Sequence, residues 1–406
     1  MQNTPKSLRL QVAIFGRANV GKSSFLNLIA GQNAAITSPA PGTTTDVVEK
    51  AMELQPVGPV LLLDTAGLDD PTELGSLRTE RSRKIFDRAD VVVLVTTADV
   101  WGDAEQNILN EVKKRDLPVL IAVNQSDVKA PSPAFLDKLR AFTPEVIVIS
   151  SAPGADREAA LGAFKPALWR LLPESFVSPP PLLGDLVKAH SLVLMIVPID
   201  LQAPRGRLIL PQVQAIRDTL DRNGMCLVVK EDEYPALIRS VRPVPALVIC
   251  DSQVVGLMVK HTPPEIACTT FSILFARMKG DLKAFLAGCG AIDRLRDGDR
   301  VLIAEACTHH ATCEDIGRVK IPRLLGAKTG KKLEYSFASG HDFPDDIARF
   351  QLIVHCGSCM LNRKETLWRI REAERAGVPI VNYGMTISYC QGVLDRVTEV
   401  FRSRGA

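Results

Sequence analysis

The sequence predicts an α/β protein of three domains, on three observations. Short apolar runs alternate with amphipathic helical stretches as far as Leu172, the pattern of a doubly wound sheet. The alternation breaks at Pro173 and at Ser178-Pro179-Pro180-Pro181, a stiff linker. Beyond the linker it resumes as a small block and then a larger one. The expected domains are residues 1–172, 182–268 and 269–406. A chain of 406 residues with 46% hydrophobic and 23% charged content is folded, and too long for one core.

Composition narrows the function classes. A net charge of +3 gives no basis for binding nucleic acid or an anionic membrane. The start, Met1-Gln2-Asn3-Thr4-Pro5-Lys6, lacks the apolar core of a signal peptide, and runs such as Leu192 to Val197 are too short to span a bilayer. A cytoplasmic location is therefore expected. The nine cysteines then read as thiols or metal ligands before disulfides. Four of them (Cys307, Cys313, Cys356, Cys359) and four of the six histidines (His309, His310, His341, His355) fall between positions 307 and 359.

Leu10 to Phe15 reads as a strand ending in Gly16-Arg17-Ala18-Asn19-Val20-Gly21-Lys22-Ser23. This is G-x-x-x-x-G-K-[ST] in its required context, because an amphipathic helix with Phe25, Leu26 and Ile29 follows to Gly31. Backbone N–H groups from Gly16 to Ser24 are expected to wrap phosphate, with Lys22 reaching the β- and γ-phosphates and Ser23 ligating magnesium. A second strand, Val60 to Leu63, ends in Asp64-Thr65-Ala66-Gly67, where Asp64 can hold magnesium through water and a Gly67 N–H can sense the γ-phosphate. Between them, Pro41-Gly42-Thr43-Thr44-Thr45-Asp46 reads as a loop tied down by the γ-phosphate. Strand Val119 to Val123 ends in Asn124-Gln125-Ser126-Asp127, and strand Val146 to Ile149 ends in Ser150-Ser151-Ala152. A carboxylate at Asp127 accepts both the N1 and N2 protons of guanine, which adenine does not offer; Ser151 and Ala152 complete the base site.

This set resembles the five motifs of the translation-factor-related GTPases, the Era and tRNA-modification branch above all, through Asn19 and the Gly42-Thr43-Thr44-x-Asp46 run. The resemblance implies GTP binding that also involves Val20 and Thr43, magnesium on Ser23, Thr44 and Asp64, and potassium on Asn19 in place of an arginine finger. Two positions depart from it. Gln125 stands where a lysine packs along guanine, and Leu68 stands where Ras-like proteins place a water-orienting glutamine, so slow hydrolysis is expected. The catalytic residue stays unassigned, since Glu73 and Glu80 read as solvated helix charges.

The middle block carries strands near Leu192–Val197, Met225–Val229 and Ala246–Cys250 around a helix from Pro211 to Asn223. Its scattered Cys226, Cys250, Cys268, His190 and His261 read as core thiols and surface histidines, which leaves self-association or a spacer role as its use.

In the last block, strand Val301 to Glu305 leads into Cys307-Thr308-His309, and strand Gln351 to Val354 into His355-Cys356-Gly357-Ser358-Cys359. Parallel pairing would place both cysteine loops at one carboxyl edge. A helix opening near Asn362 would point its N-terminus at the thiols and lower their pKa. Three thiolates with one or two imidazoles suit zinc or an iron–sulfur cluster, and a C-x-x-C redox pair would leave Cys307 and His309 unexplained.

The whole pattern, a GTPase, a small middle domain and C-x-H…H-C-x-x-C, resembles the FeFe-hydrogenase maturation GTPases, the HydF family. The resemblance implies a [4Fe–4S] cluster on Cys307, Cys356 and Cys359, with an exchangeable fourth position for which His309 and then His355 are candidates. It further implies a homodimer through the middle domain and a scaffold that receives a diiron precursor. Its partners would be two radical-SAM maturases and the apo-hydrogenase. The rival reading is an RNA-modifying or ribosome-assembly GTPase with structural zinc.

Overall fold

A computed structural model describes residues 4–31, 48–65, 84–199, 208–306 and 315–402. The chain divides into two compact units, Met1–Pro179 and Pro180–Ala406.

The first unit is a six-stranded sheet of order β2-β3-β1-β4-β5-β6. Its strands are β1 (Leu10–Phe15), β2 (Val48–Leu54), β3 (Gly58–Asp64), β4 (Val91–Thr97), β5 (Val119–Asn124) and β6 (Val146–Val148). All neighbours run parallel except β2, which pairs antiparallel with β3. Parallel strands covered on both faces are expected to be apolar throughout, and β1, β4 and β5 are buried along nearly their whole length. Alternation then assigns the two faces. Leu10, Val12 and Ile14 pack with helix α1 (Lys22–Ala30) and with α4 (Arg157–Arg170). Ala13 and Phe15 pack on the other side with α2 (Asp103–Lys114) and α3 (Pro133–Arg140). Strand order reverses about β1, so the crevice beyond its carboxyl end is the site such a sheet offers a ligand.

The second unit holds two four-stranded sheets, each wholly parallel, of orders β10-β9-β7-β8 and β12-β11-β13-β14. The first contains β7 (Leu192–Ile196), β8 (Met225–Val229), β9 (Leu247–Cys250) and β10 (Ala267–Thr270). The second contains β11 (Arg300–Glu305), β12 (Glu334–Ser339), β13 (Leu352–His355) and β14 (Ile380–Asn382). One apolar cluster runs through both, from Val193 and Ile249 through Leu274 and Phe275 to Ile303 and Val354. The expected division at 268/269 falls inside β10, which passes into helix α5 (Phe271–Lys279) with no intervening loop. Helix α6 (Leu282–Cys289) lies so close on β14 that a Cβ at Gly288 would stand 2.0 Å from the Ile380 carbonyl oxygen. No helix among the described residues is long and apolar enough to cross a membrane.

Candidate functional site

The first site is built on the carboxyl end of β1. Gly16 lies with its α-carbon against β4, where a Cβ would meet the Val95 carbonyl oxygen at 2.3 Å, so only glycine fits. Lys22 is buried and its Nζ donates to the carbonyls of Gly16, at 3.0 Å, and Arg17, at 2.6 Å. The ammonium is thus held inside its own loop. Ser23 donates its hydroxyl to Asp64 Oδ2 at 2.7 Å. Burial raises the Asp64 carboxyl, against the Ser23 hydrogen bond and the charges of Lys22 and Lys50. Its Oδ1 is buried with no hydrogen-bond partner. A hydroxyl and an orphaned carboxylate oxygen together are hard donors, and they fit magnesium.

Asn124 is fully buried and ties three segments together. Its amide donates to the Val20 carbonyl and to Ser151 Oγ, and its oxygen accepts from the Ser151 N–H. Gln125, the departure from the usual lysine, sits at φ +58° and donates Nε2 to the Asn19 carbonyl at 3.0 Å. The amide therefore keeps a bond between base loop and phosphate loop. Asp127 accepts from the Ser150 hydroxyl and remains exposed.

Sequence reading missed a brace beneath the phosphate loop. Arg17 donates Nε and Nη2 to the two carboxylate oxygens of Glu105, each at 2.6 Å, and Glu105 has no exposed surface. The Gly102 N–H also donates to Glu105, fixing the start of α2. Glu105→Gln should cost about 1.5–3 kcal/mol of stability in this unit. It should also raise the KM for GTP, because the Arg17 carbonyl is one of the acceptors of Lys22; an unchanged melting curve and KM would remove that role.

The second site lies at the carboxyl edge of the β12-β11-β13-β14 sheet. β11 and β13 pair in parallel as expected, Ala304 opposite His355. Cys356 follows β13 directly, nearly buried, and its Sγ accepts the Ala306 N–H at 3.0 Å. Asn362 caps helix α7 (Arg363–Arg375) by accepting the Glu365 N–H. The expected lowering of the thiol pKa is not found. Burial pushes Cys356 up to about 12 and also raises Cys359, outweighing the helix end and the hydrogen bonds to sulfur.

His355 is fully buried. Its Nδ1 donates to the Cys356 carbonyl at 2.9 Å, and its Nε2 accepts from Arg369 Nη1 at 3.3 Å. With both nitrogens engaged, the ring as placed has no lone pair for a metal, against the expectation that it ligates. Burial, then the charge of Arg369, lowers its pKa to about 3, so it is neutral. His341 pairs instead with the buried Glu365 through Nδ1 at 2.8 Å.

Thr43, Thr44, Gly67, Cys307 and His309 lie outside the described residues, as do Glu73, Glu80, His310 and Cys313. Among the described residues no group of three or more metal-binding side chains comes together. The two thiols that are described fit a thiolate-bound cluster: both are soft donors, one sulfur accepts a backbone N–H, and a buried lysine lies beside them.

Residues 11–125 match the 50S ribosome-binding GTPase model. Over 141 residues the chain is 44% identical to the tRNA modification GTPase MnmE of Synechococcus sp. (strain JA-3-3Ab), covering 34% of this chain and 28% of that protein. It is 36% identical over 174 residues to GTPase Era of Marinobacter nauticus, covering 40% of this chain and 54% of that one. The chain thus spans about a quarter of the first relative's length and about half of the second's. A crystal structure of Aquifex aeolicus Era, a point variant bound to GDP and AlF4-, aligns over 56% of this chain and 97% of its own, at 22% identity and a TM-score of 0.34. Residues 182–280 match the hydrogen maturase F dimerization domain, and residues 283–400 the hydrogen maturase F tetramerization domain. With those two domains in succession behind a GTPase domain, the chain belongs to the hydrogen maturase F family.

Proposed function

We propose that this GTPase of hydrogenase maturation is a scaffold that carries a diiron precursor to apo FeFe-hydrogenase and holds a [4Fe–4S] cluster on Cys307, Cys356 and Cys359. The observation that carries the reading is the 3.0 Å hydrogen bond from the Ala306 N–H to Cys356 Sγ. It joins the strand that leads to Cys307 to the loop that bears the other two thiols. A cluster held there by three cysteines would supply an iron with an exchangeable position, for which His309 is the first candidate ligand. His355 orients the loop through the Cys356 carbonyl, and Arg369 fixes its tautomer.

In the first unit, Lys22 leaves its two carbonyl acceptors for phosphate oxygens, Ser23 and Asp64 hold magnesium, and Asn124 keeps the base loop in register. Asp127 reads guanine. Asp127→Asn should shift preference from GTP toward xanthosine triphosphate by about tenfold or more, each lost charge-assisted hydrogen bond costing about 1.5–3 kcal/mol. Unchanged nucleotide preference would remove the assignment. Asn19 is proposed to hold potassium, so replacing potassium by sodium should slow turnover; equal rates would refute it.

The chain is proposed to act in the cytoplasm as a homodimer through residues 182–280, with residues 283–400 able to join dimers, and with the two radical-SAM maturases as partners. Anaerobically purified protein should be brown and contain iron and sulfide. Colourless protein with one zinc per chain would overturn the cluster and favour a structural metal.

A further inference from the structure

Resting on the cluster reading, we propose that Lys279 is a positioning residue for the C-x-x-C loop, gathering its carbonyls and placing an ammonium beside its thiolates. Lys279 ends α5, on a different element from any cysteine of the site, and is 2% exposed. Its Nζ donates to the carbonyls of Ser358 at 2.9 Å, Leu361 at 2.8 Å and Cys359 at 3.3 Å. An ammonium has three N–H donors, and here all three are spent on one loop. The ring of Phe275, one turn earlier, stands 5.7 Å from the same nitrogen and shields it from water.

The loop is held from both sides. Arg363, just after it, donates Nη1 to the carbonyls of Met278 and Gly280 at the end of α5. Ser358 lies in the left-handed region at φ +56°, a conformation that costs energy for a non-glycine residue and persists where its surroundings fix it. Its carbonyl is shared by Lys279 and the Leu361 N–H.

Charge makes the second part of the case. A buried ammonium is costly without a counter-charge. No carboxylate among the described residues forms an ion pair with Lys279. Burial lowers the ammonium to about 8, and the groups that oppose this are Cys359 and Cys356. Three carbonyl dipoles alone solvate a cation, whereas two neighbouring thiolates, once metal-bound, neutralise it. The buried lysine is therefore explained by a loop built to carry negative sulfur.

The test compares full-length Lys279→Met, Lys279→Gln and Lys279→Arg, loaded anaerobically. Loss of the charge should release cluster iron to a chelator about tenfold faster, the scale of a ligand-supporting contact. It should also shift the midpoint potential, read by EPR titration, to more negative values, because the oxidised form loses less. Lys279→Arg should restore both. Wild-type retention and potential in Lys279→Met would overturn the proposal. Should Lys279→Met expose the core thiols Cys250 and Cys289 to alkylation, it has unfolded. Lys279→Gln, which keeps N–H donors without charge, then decides by its potential alone. On the cluster-free chain, the backbone amides of residues 356–361 should exchange with deuterated water several-fold faster in Lys279→Met than in wild type, and equal exchange would overturn the positioning role. That readout stands even if the protein takes up no cluster, so failure of the cluster reading and failure of this one are distinguishable.

Discussion

Replacing Arg369 by methionine is expected to cost the C-terminal unit about 3–5 kcal/mol, because it breaks a buried ion pair and strands its partners. Arg369 is 1% exposed on α7 and lies one turn from Glu365, itself nearly as buried. Its Nη2 donates to Glu365 at 2.8 Å and to the Gly340 carbonyl at 2.6 Å, and its Nη1 donates to His355. The guanidinium also covers the Phe343 ring. Methionine preserves most of the stem and its packing, so the loss reports charge and hydrogen bonds. The pH dependence has a definite sign. Burial pushes the Glu365 carboxyl up, but the His341 hydrogen bond and the Arg369 charge outweigh it and leave the pKa below the ordinary 4.5. A depressed folded pKa contributes stability above 4.5 that is lost as pH falls through the folded value. Without Arg369 burial gains the upper hand, so the deficit is largest near neutral pH and shrinks once the carboxyl protonates. Urea denaturation at pH 7 and at about pH 4 measures both. A deficit under about 1 kcal/mol at pH 7, or one independent of pH, would sink the account.

That network also marks where sequence reading stopped. The strand–loop–helix at Leu10–Ala30 was legible because a wholly apolar run changes to an amphipathic one across glycines that phosphate binding requires. The parallel pairing of β11 and β13 followed from strands separated by helices. By contrast, nothing in the charge-rich run Arg363–Arg375 marks Glu365 and Arg369 as core residues, yet both are buried. Only three-dimensional pairing lets such groups be buried. Lys279 was invisible for the same reason, since a lysine before Gly280 looks like an ordinary helix end. The thiol pKa expectation failed because a helix end is a local feature, whereas burial is set by the whole sheet edge. The boundary at 268/269 missed because β10 runs straight into α5 and leaves no turn residues to signal it.

Cys356→Ser should bring bound iron from about four per chain to background while GTP turnover at the other unit stays as in wild type. A serine hydroxyl is a hard, weakly acidic donor and replaces a thiolate poorly on iron. The wild-type thiol itself is held near 12 by burial, so at neutral pH it is protonated in the bare chain. Iron must displace that proton, and uptake should therefore strengthen as pH rises from 7 to 8.5. Cys289 is the control. It too is buried, its thiol is pushed up to about 12, and it donates to the Phe285 carbonyl at 3.5 Å, but it has no C-x-x-C partner. Cys289→Ala should lower stability by about 1–2 kcal/mol and leave iron content unchanged. Full iron in Cys356→Ser, or its loss in a stably folded Cys289→Ala, would place the cluster on other thiols. Equal uptake at both pH values would mean that burial no longer governs Cys356 when iron arrives, and the loop would have to open before it is loaded.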